Sequence, residues 1–349
     1  MITDSFGRTL DYLRVSVTDR CNLRCVYCMP SQGVEWKPHE TMLSSEEFLR
    51  ICGIMAGLGI RRIKVTGGEP LVRRGIAAFV KDLKALPGIE KVTITTNGIL
   101  LGAYLDEAEA LGALPDGVNI SLDALDNGRF RRITRRAENE SPSFPEDLLP
   151  LIDRLLVKGI PVKLNCVPIR GFNEEEILPL AALARDKNIA VRFIELMPLG
   201  SAAAMEPIPG DEIASLLEKA YGALTPFPGS LGGGPALYYS LPGFAGKVGF
   251  INAVTHGFCE TCNRLRLTSE GFLKPCLSYD SGLDLRALLR AGGEARPGRD
   301  TAAPSGVSDA ELARAITEAA AKKPQFHTFS GVYGTAQAGH SGGMYRIGG

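Results

Sequence analysis

Histidine is scarce in this chain: His39, His256, His327 and His340 are the only four in 349 residues. No two of them lie at zinc-finger spacing, so a His-based finger is excluded. Neither sign of charge is in excess, with 39 Lys plus Arg against 39 Asp plus Glu. Wholesale attraction to nucleic acid or to anionic lipid is therefore not implied, although a local basic pocket stays open. No uninterrupted apolar run approaches roughly 18 residues, which argues against a membrane span. The opening Met1-Ile-Thr-Asp-Ser-Phe-Gly-Arg8 lacks a basic stretch followed by an apolar one. No export signal is expected, and the cytoplasm is the expected location.

Cysteine is what the chain does have. Six of its eight cysteines form two compact trios, Cys21-x3-Cys25-x2-Cys28 and Cys259-x2-Cys262-x13-Cys276. Without export, reduced metal-ligating thiolates are a stronger reading than disulfides. Each trio is one thiolate short of the four that close a structural zinc site or a [4Fe–4S] cluster. A missing ligand leaves one coordination position open to a small molecule. The other two, Cys52 and Cys166, fall in a helical and a strand pattern and read as small buried hydrophobes.

The first two hundred residues alternate short β-rich runs with helical patterns. Strands are expected at Tyr12–Val17, Arg62–Val65, Val92–Thr95, Val118–Ser121, Val162–Val167 and Val191–Glu195. Ser44-Ser-Glu-Glu47 offers a capping box to a first helix closed by Gly59. Further helices are expected near 75–86, 102–112, 126–134, 145–158 and 174–187. Six strands with intervening helices imply a parallel sheet with right-handed crossovers. Six units are too few for a closed eight-fold barrel, so the expected fold class is α/β, a partial (β/α)6 TIM-like barrel. Residues 1–200 would form that core. Residues 201–340 would form a small α+β extension carrying the second trio, with one helix from Asp211 to Tyr221, and 341–349 a glycine-rich tail. Most polar signatures sit just past a strand, where parallel barrels build their sites.

The C-x3-C-x2-C loop after the first strand, with Tyr27 inside it, resembles the radical S-adenosylmethionine (SAM) superfamily. Thr66-Gly-Gly-Glu-Pro70 after the second strand strengthens the resemblance. Its two glycines would let backbone approach a ligand closely, and Glu69 could accept hydrogen bonds from an ammonium. The second trio, with Arg264 and Arg266 alternating onto one face of a strand, and the terminal Gly348-Gly349 are similar to the GTP 3′,8-cyclase family of molybdenum cofactor biosynthesis.

That resemblance covers essentially the whole chain and implies two [4Fe–4S] clusters, SAM as cofactor and GTP as substrate. Cys21, Cys25 and Cys28 would hold one cluster; Cys259, Cys262 and Cys276 would hold the other. Tyr27, Gly68, Glu69, Ser121 and Met197 take the SAM positions. Arg14, Lys64, Thr95, Lys163, Arg192, Arg264 and Arg266 take the GTP positions, with Arg264, Arg266 and the terminal glycines at the reacting centre. Lys64 stands where the family more often shows Arg, keeping the charge but losing the bidentate fork. The resemblance also implies an electron donor such as flavodoxin or ferredoxin and a downstream cyclic pyranopterin monophosphate synthase, and leaves a homodimer open. Two other readings stand beside it: a radical SAM enzyme of peptide maturation with an auxiliary cluster, and a non-catalytic zinc scaffold.

Overall fold

A computed structural model describes residues 1–137, 144–291 and 307–329. Six strands run parallel as neighbours in chain order: β1 (Tyr12–Ser16), β2 (Arg62–Thr66), β3 (Lys91–Thr96), β4 (Val118–Ser121), β5 (Val162–Cys166) and β6 (Ala190–Ile194). All six expected strands are present, each end within a residue or two of its expected place. Between them lie α1 (Ser45–Gly57), α2 (Ile76–Ala85), α3 (Leu101–Ala110), α4 (Asn127–Thr134), α5 (Leu148–Val157) and α6 (Ile177–Asp186).

The strands alternate with period two, and the alternation decides which face is core. Leu13, Val15, Ile63, Val65, Val92, Ile94, Ile120, Leu164, Val191 and Phe193 are buried on the outer face, in one cluster with the helices. From α1 that cluster takes Phe48, Ile51, Cys52 and Met55; from α2 it takes Phe79, Val80 and Leu83. Each such burial contributes about 1.5–3 kcal/mol, so the outer face carries the folding energy and the inner face is left to polar side chains. Cys52 and Cys166 are both buried in this core, as expected. Ser44 and Glu47 close the capping box of α1 reciprocally.

The strands of the C-terminal segment join this sheet and extend it at both edges. After α7 (Gly210–Tyr221) come β7 (Thr225–Phe227), β8 (Leu237–Ser240) and β9 (Lys247–Ile251), with β9 parallel to β6. Then β10 (Arg264–Leu267) pairs parallel with β1, followed by β11 (Phe272–Lys274) and β12 (Leu283–Asp284). The twelve strands run β12-β11-β10-β1-β2-β3-β4-β5-β6-β9-β8-β7, an open order with two edges. Two further helices, α8 (Leu285–Arg290) and α9 (Asp309–Ala321), complete the described residues.

The glycines after β2 also meet a packing constraint within the chain. A Cβ on Gly68 would lie 2.3 Å from the Arg20 carbonyl oxygen, and one on Gly67 would lie 2.8 Å from that of Thr18. The Gly68 amide donates to Thr18 and that of Glu69 to Arg20. Two backbones are thus pressed together at the entry to the first cysteine loop, and the glycines permit that contact. We expect Gly68→Ala to destabilise the cluster-free chain by about 1–3 kcal/mol, as overpacking does. Urea denaturation is the measurement; an unchanged midpoint would contradict the assigned contact.

Candidate active site

Strand register stacks the inner-face side chains into rows. Arg266, Arg14, Lys64 and Thr93 lie level across β10, β1, β2 and β3. Thr95, Asn119 and Lys163 form a second row, and Ser121, Asn165 and Arg192 a third. Arg192 is held by donating to Asn165 Oδ1 from Nε at 2.8 Å and to Asn119 Oδ1 from Nη2 at 2.7 Å.

A cavity of about 1080 Å³ opens onto these rows. Arg14, Lys64, Thr95, Arg192, Arg264 and Arg266 line it together with Cys259, Cys262 and Cys276. No carboxylate lines it among the described residues. Burial, then Arg264 and Arg192, lowers Arg14 to about 10 despite the opposing Tyr12. Burial, then Arg192, Arg14 and Lys163, holds Lys64 well below the usual lysine value. Burial, then Arg14 and Arg264, does the same to Arg266, against the pull of the Cys262 and Cys276 thiolates. The buried Thr95 hydroxyl has no hydrogen-bond partner among the described residues.

Lys163 sits slightly apart. It lines a smaller adjoining cavity with Lys64, Arg192 and Gly232–Gly234, and its Nζ donates to the Leu231 carbonyl. Burial, then Arg192 and Lys91, lowers it to about 8.

A second large cavity, about 1090 Å³, is lined by Cys21, Cys25 and Cys28 and by Tyr27, Gly68, Glu69, Ser121 and Met197. It shares Thr95, Asn165, Ile194 and Met197 with the first, so the two cavities meet. Glu69 is already engaged: its oxygens accept from the Leu71 amide (3.0 Å), the Thr96 hydroxyl (2.8 Å) and the Asn97 amide (2.6 Å). Burial outweighs those bonds and raises it to about 7. Tyr27 donates to Asp123 at 2.7 Å, and burial raises Asp123 to about 6. Asp123 and Asn165 were not singled out from the sequence, although both stand in polar signatures just past a strand. Lys323 and His327, which line the first cavity, had no signal. Gly348 and Gly349 lie outside the described residues.

Neither trio converges on one point: among the described residues no three His, Cys, Asp or Glu could hold a single ion. Zinc would draw its ligands onto one centre, whereas a cubane takes each cysteine to a different iron. His39, which a zinc reading of the first trio would call on for its fourth ligand, is exposed. The trios differ electrically. Burial, then Glu69, raises Cys21 to about 11, against a backbone hydrogen bond and Arg24. Burial also acts on Cys262, but Arg264 and Lys323 outweigh it and bring the thiol down to about 6.

Residues 15–184 match the family model of the radical SAM superfamily, and residues 189–329 match that of Molybdenum Cofactor Synthesis C. A GTP 3′,8-cyclase of Moorella thermoacetica is 44% identical over 327 residues, covering 93% of this chain and 94% of that one. That of Heliobacterium modesticaldum is 44% identical over 328 residues with the same coverage. The chain belongs to the GTP 3′,8-cyclase family. Among solved structures, Streptococcus suis SuiB bound to S-adenosylmethionine superposes with a TM-score of 0.55 at 15% identity. The match covers 80% of this chain and 64% of SuiB, just under two thirds, and it shows the fold. SuiB is also known bound to a precursor peptide, at 14% identity, which likewise speaks to fold and not to substrate.

Only the thiolate is nucleophilic, so these thiol values have a direct readout. In reduced, chelator-stripped protein, iodoacetamide should label Cys262 with a half-maximal rate near pH 6 and Cys21 only towards pH 11. Peptide mass mapping follows each site. Equal labelling of both at pH 7 would contradict the electrostatic contrast.

Proposed function

We propose that the chain converts GTP into (8S)-3′,8-cyclo-7,8-dihydroguanosine 5′-triphosphate for molybdenum cofactor biosynthesis. One observation carries this reading beyond family membership. The two cavities, each with its own cysteine trio, meet at Thr95, Asn165, Ile194 and Met197, and only the cavity of the second trio is lined with cations.

The residues fit the cofactors of the family, two [4Fe–4S] clusters and SAM. Three thiolates stand at each cavity with no fourth cysteine beside them, and Cys28 and Cys25 act on one another electrostatically, as do Cys259, Cys262 and Cys276. Cys21, Cys25 and Cys28 hold the SAM cluster, and Cys259, Cys262 and Cys276 the second. Bound there with its cluster, SAM would supply radical chemistry to a nucleotide held in the adjoining cavity.

The chain's own side chains orient and hold. Tyr27, Gly68, Ser121 and Met197 line the place where SAM lies. Glu69, whose oxygens already fasten the Leu71, Thr96 and Asn97 peptides, shapes that place and offers its remaining lone pairs to an ammonium. Arg14, Lys64, Arg192, Arg264 and Arg266 take the triphosphate, with Lys163 reaching it from the adjoining cavity and the Thr95 hydroxyl gaining the partner it lacks. A buried polyanion needs several cations, and this block of cations needs a polyanion. The shared wall would let a nucleotide held by these cations reach the cofactor's cavity. An external electron donor such as flavodoxin or ferredoxin, a cytoplasmic location and a downstream synthase that consumes the cyclised nucleotide complete the proposal.

Anaerobic incubation with SAM, dithionite and GTP should yield 5′-deoxyadenosine and the cyclised nucleotide. Replacing both Arg264 and Arg266 by Ala should weaken GTP binding by about one to two decades for each guanidinium removed, since a charged hydrogen bond contributes about 1.5–3 kcal/mol. Deoxyadenosine without cyclised nucleotide, together with unchanged GTP affinity in the double variant, would place the substrate elsewhere.

A further inference from the structure

Lys323 follows α9 and is only 3% exposed. Its Nζ donates to the Arg264 carbonyl at 2.8 Å and to the Pro275 carbonyl at 2.6 Å. Arg264 stands two residues after Cys262, and Pro275 directly precedes Cys276. One ammonium thus ties together the two peptides that carry two thiolates of the second trio. Among the described residues no carboxylate pairs with it; burial, with Arg264 and Arg8, pushes it below the usual lysine value, and the groups that favour its charge are the Cys262 and Cys276 thiolates.

Arg8, another buried cation at this trio, makes the contrast. It donates to the Cys259 carbonyl at 2.6 Å, to that of Pro324 at 2.7 Å and to that of Gln325 at 3.0 Å. Arg8 also carries its own counter-ion, Asp4, at 2.5 Å. Both cations pin backbone around the second trio, and among the described residues Lys323 does so with no carboxylate beside it. A buried ammonium bonded to carbonyls alone is costly unless an anion lies close. The anion available is the trio.

We propose that Lys323 is a counter-charge of the second cysteine trio beside Arg264, whose Nη2 donates to Cys262 Sγ at 3.6 Å, and a positioning residue that holds the trio's thiolates together and favours one-electron reduction of the cluster they carry. The proposal rests on the reading of that trio as a cluster site. Lys323 does not enter the substrate's reaction; it acts through Cys262 and Cys276.

The test uses anaerobically reconstituted full chain carrying Cys21, Cys25 and Cys28 all replaced by Ala, so that only the second centre is observed. Iron is counted, and the midpoint potential is followed by paramagnetic resonance as dithionite delivers one electron. Lys323→Met should keep about four irons and become harder to reduce, by at least tenfold in equilibrium constant, about 59 mV for a one-electron couple. Lys323→Arg, which keeps the charge, should stay near wild type. An unchanged potential with the irons retained would overturn the proposal.

If Lys323→Met cannot hold iron, thermal unfolding of the cluster-free chain decides. A counter-charge predicts that Lys323→Met destabilises the chain with its second trio intact. It should be neutral or stabilising once Cys259, Cys262 and Cys276 are Ala, because an isolated buried charge is then removed. An equal loss in both backgrounds would mean simple carbonyl pinning and overturn the proposal. A parent chain that binds no iron at the second trio would instead remove the cluster reading on which the proposal stands.

Discussion

Arg14, Lys64, Lys163, Arg192, Arg264 and Arg266 all project from one face of one sheet, and each was drawn out of water by the same fold that brought it beside its neighbours. Desolvation and mutual repulsion act in the same direction on such a group, and both appear in the lowered values of Arg14, Lys64, Lys163 and Arg266. The core on the outer face holds this arrangement in place. Leu13, Val15, Ile63 and Val65 alternate with Arg14 and Lys64 along the same strands, so burying the first set forces the second set inward. The stability of the outer face thus sustains the electrostatic cost on the inner one, and an anionic ligand relieves it.

The two trios sit in opposite surroundings within that frame. Glu69 and Asp123 stand at the cavity of Cys21, Cys25 and Cys28, while Arg264 and Lys323 stand at Cys262. Ligation requires thiolates, so the two sites differ in how much deprotonation must be driven by the incoming metal. The first trio depends on metal binding to form its thiolates. The second has one thiolate half formed near pH 6 already. Between them, Thr95, Asn165, Ile194 and Met197 are the wall through which a ligand in one cavity touches a ligand in the other.

Much of this was legible in the chain because it rests on parity. Polar residues two apart among β-branched ones, as in Tyr12-Leu-Arg-Val-Ser16, state both the strand and the side each residue faces. The same parity puts Arg264 and Arg266 on one face without knowledge of their partners. Edge strands were not legible. Leu237-Tyr-Tyr-Ser240 follows a Gly-Gly-Gly-Pro stretch, and Leu283–Asp284 is two residues long; both become strands through the neighbours that pair with them. The seating of the C-terminal strands on β1 and β6 was hidden for the same reason, since it depends on pairing over more than fifty residues of separation. Gly67 and Gly68 look locally like a ligand cradle, and they also relieve a contact with Thr18 and Arg20 that no local pattern announces. Lys323 carries no motif at all, and its place beside the second trio comes only from how α9 ends.

On the inner face Lys64 and Lys163 are held short of full protonation until a polyanion arrives. The most direct measurement of that state is the proton uptake that accompanies GTP binding, obtained by anaerobic calorimetry of reconstituted enzyme in buffers of different ionisation enthalpy. Lys163 is lowered to about 8, so near that pH it is half protonated and should gain up to about half a proton when the triphosphate binds. Lys64, held well below the usual lysine value, should add to this. The account predicts net uptake at pH 8 that shrinks as the pH falls towards 6 and Lys163 becomes charged beforehand. Tight GTP binding with no proton exchange at pH 8 would contradict it, because cations that are already fully charged would not be the strained block described here.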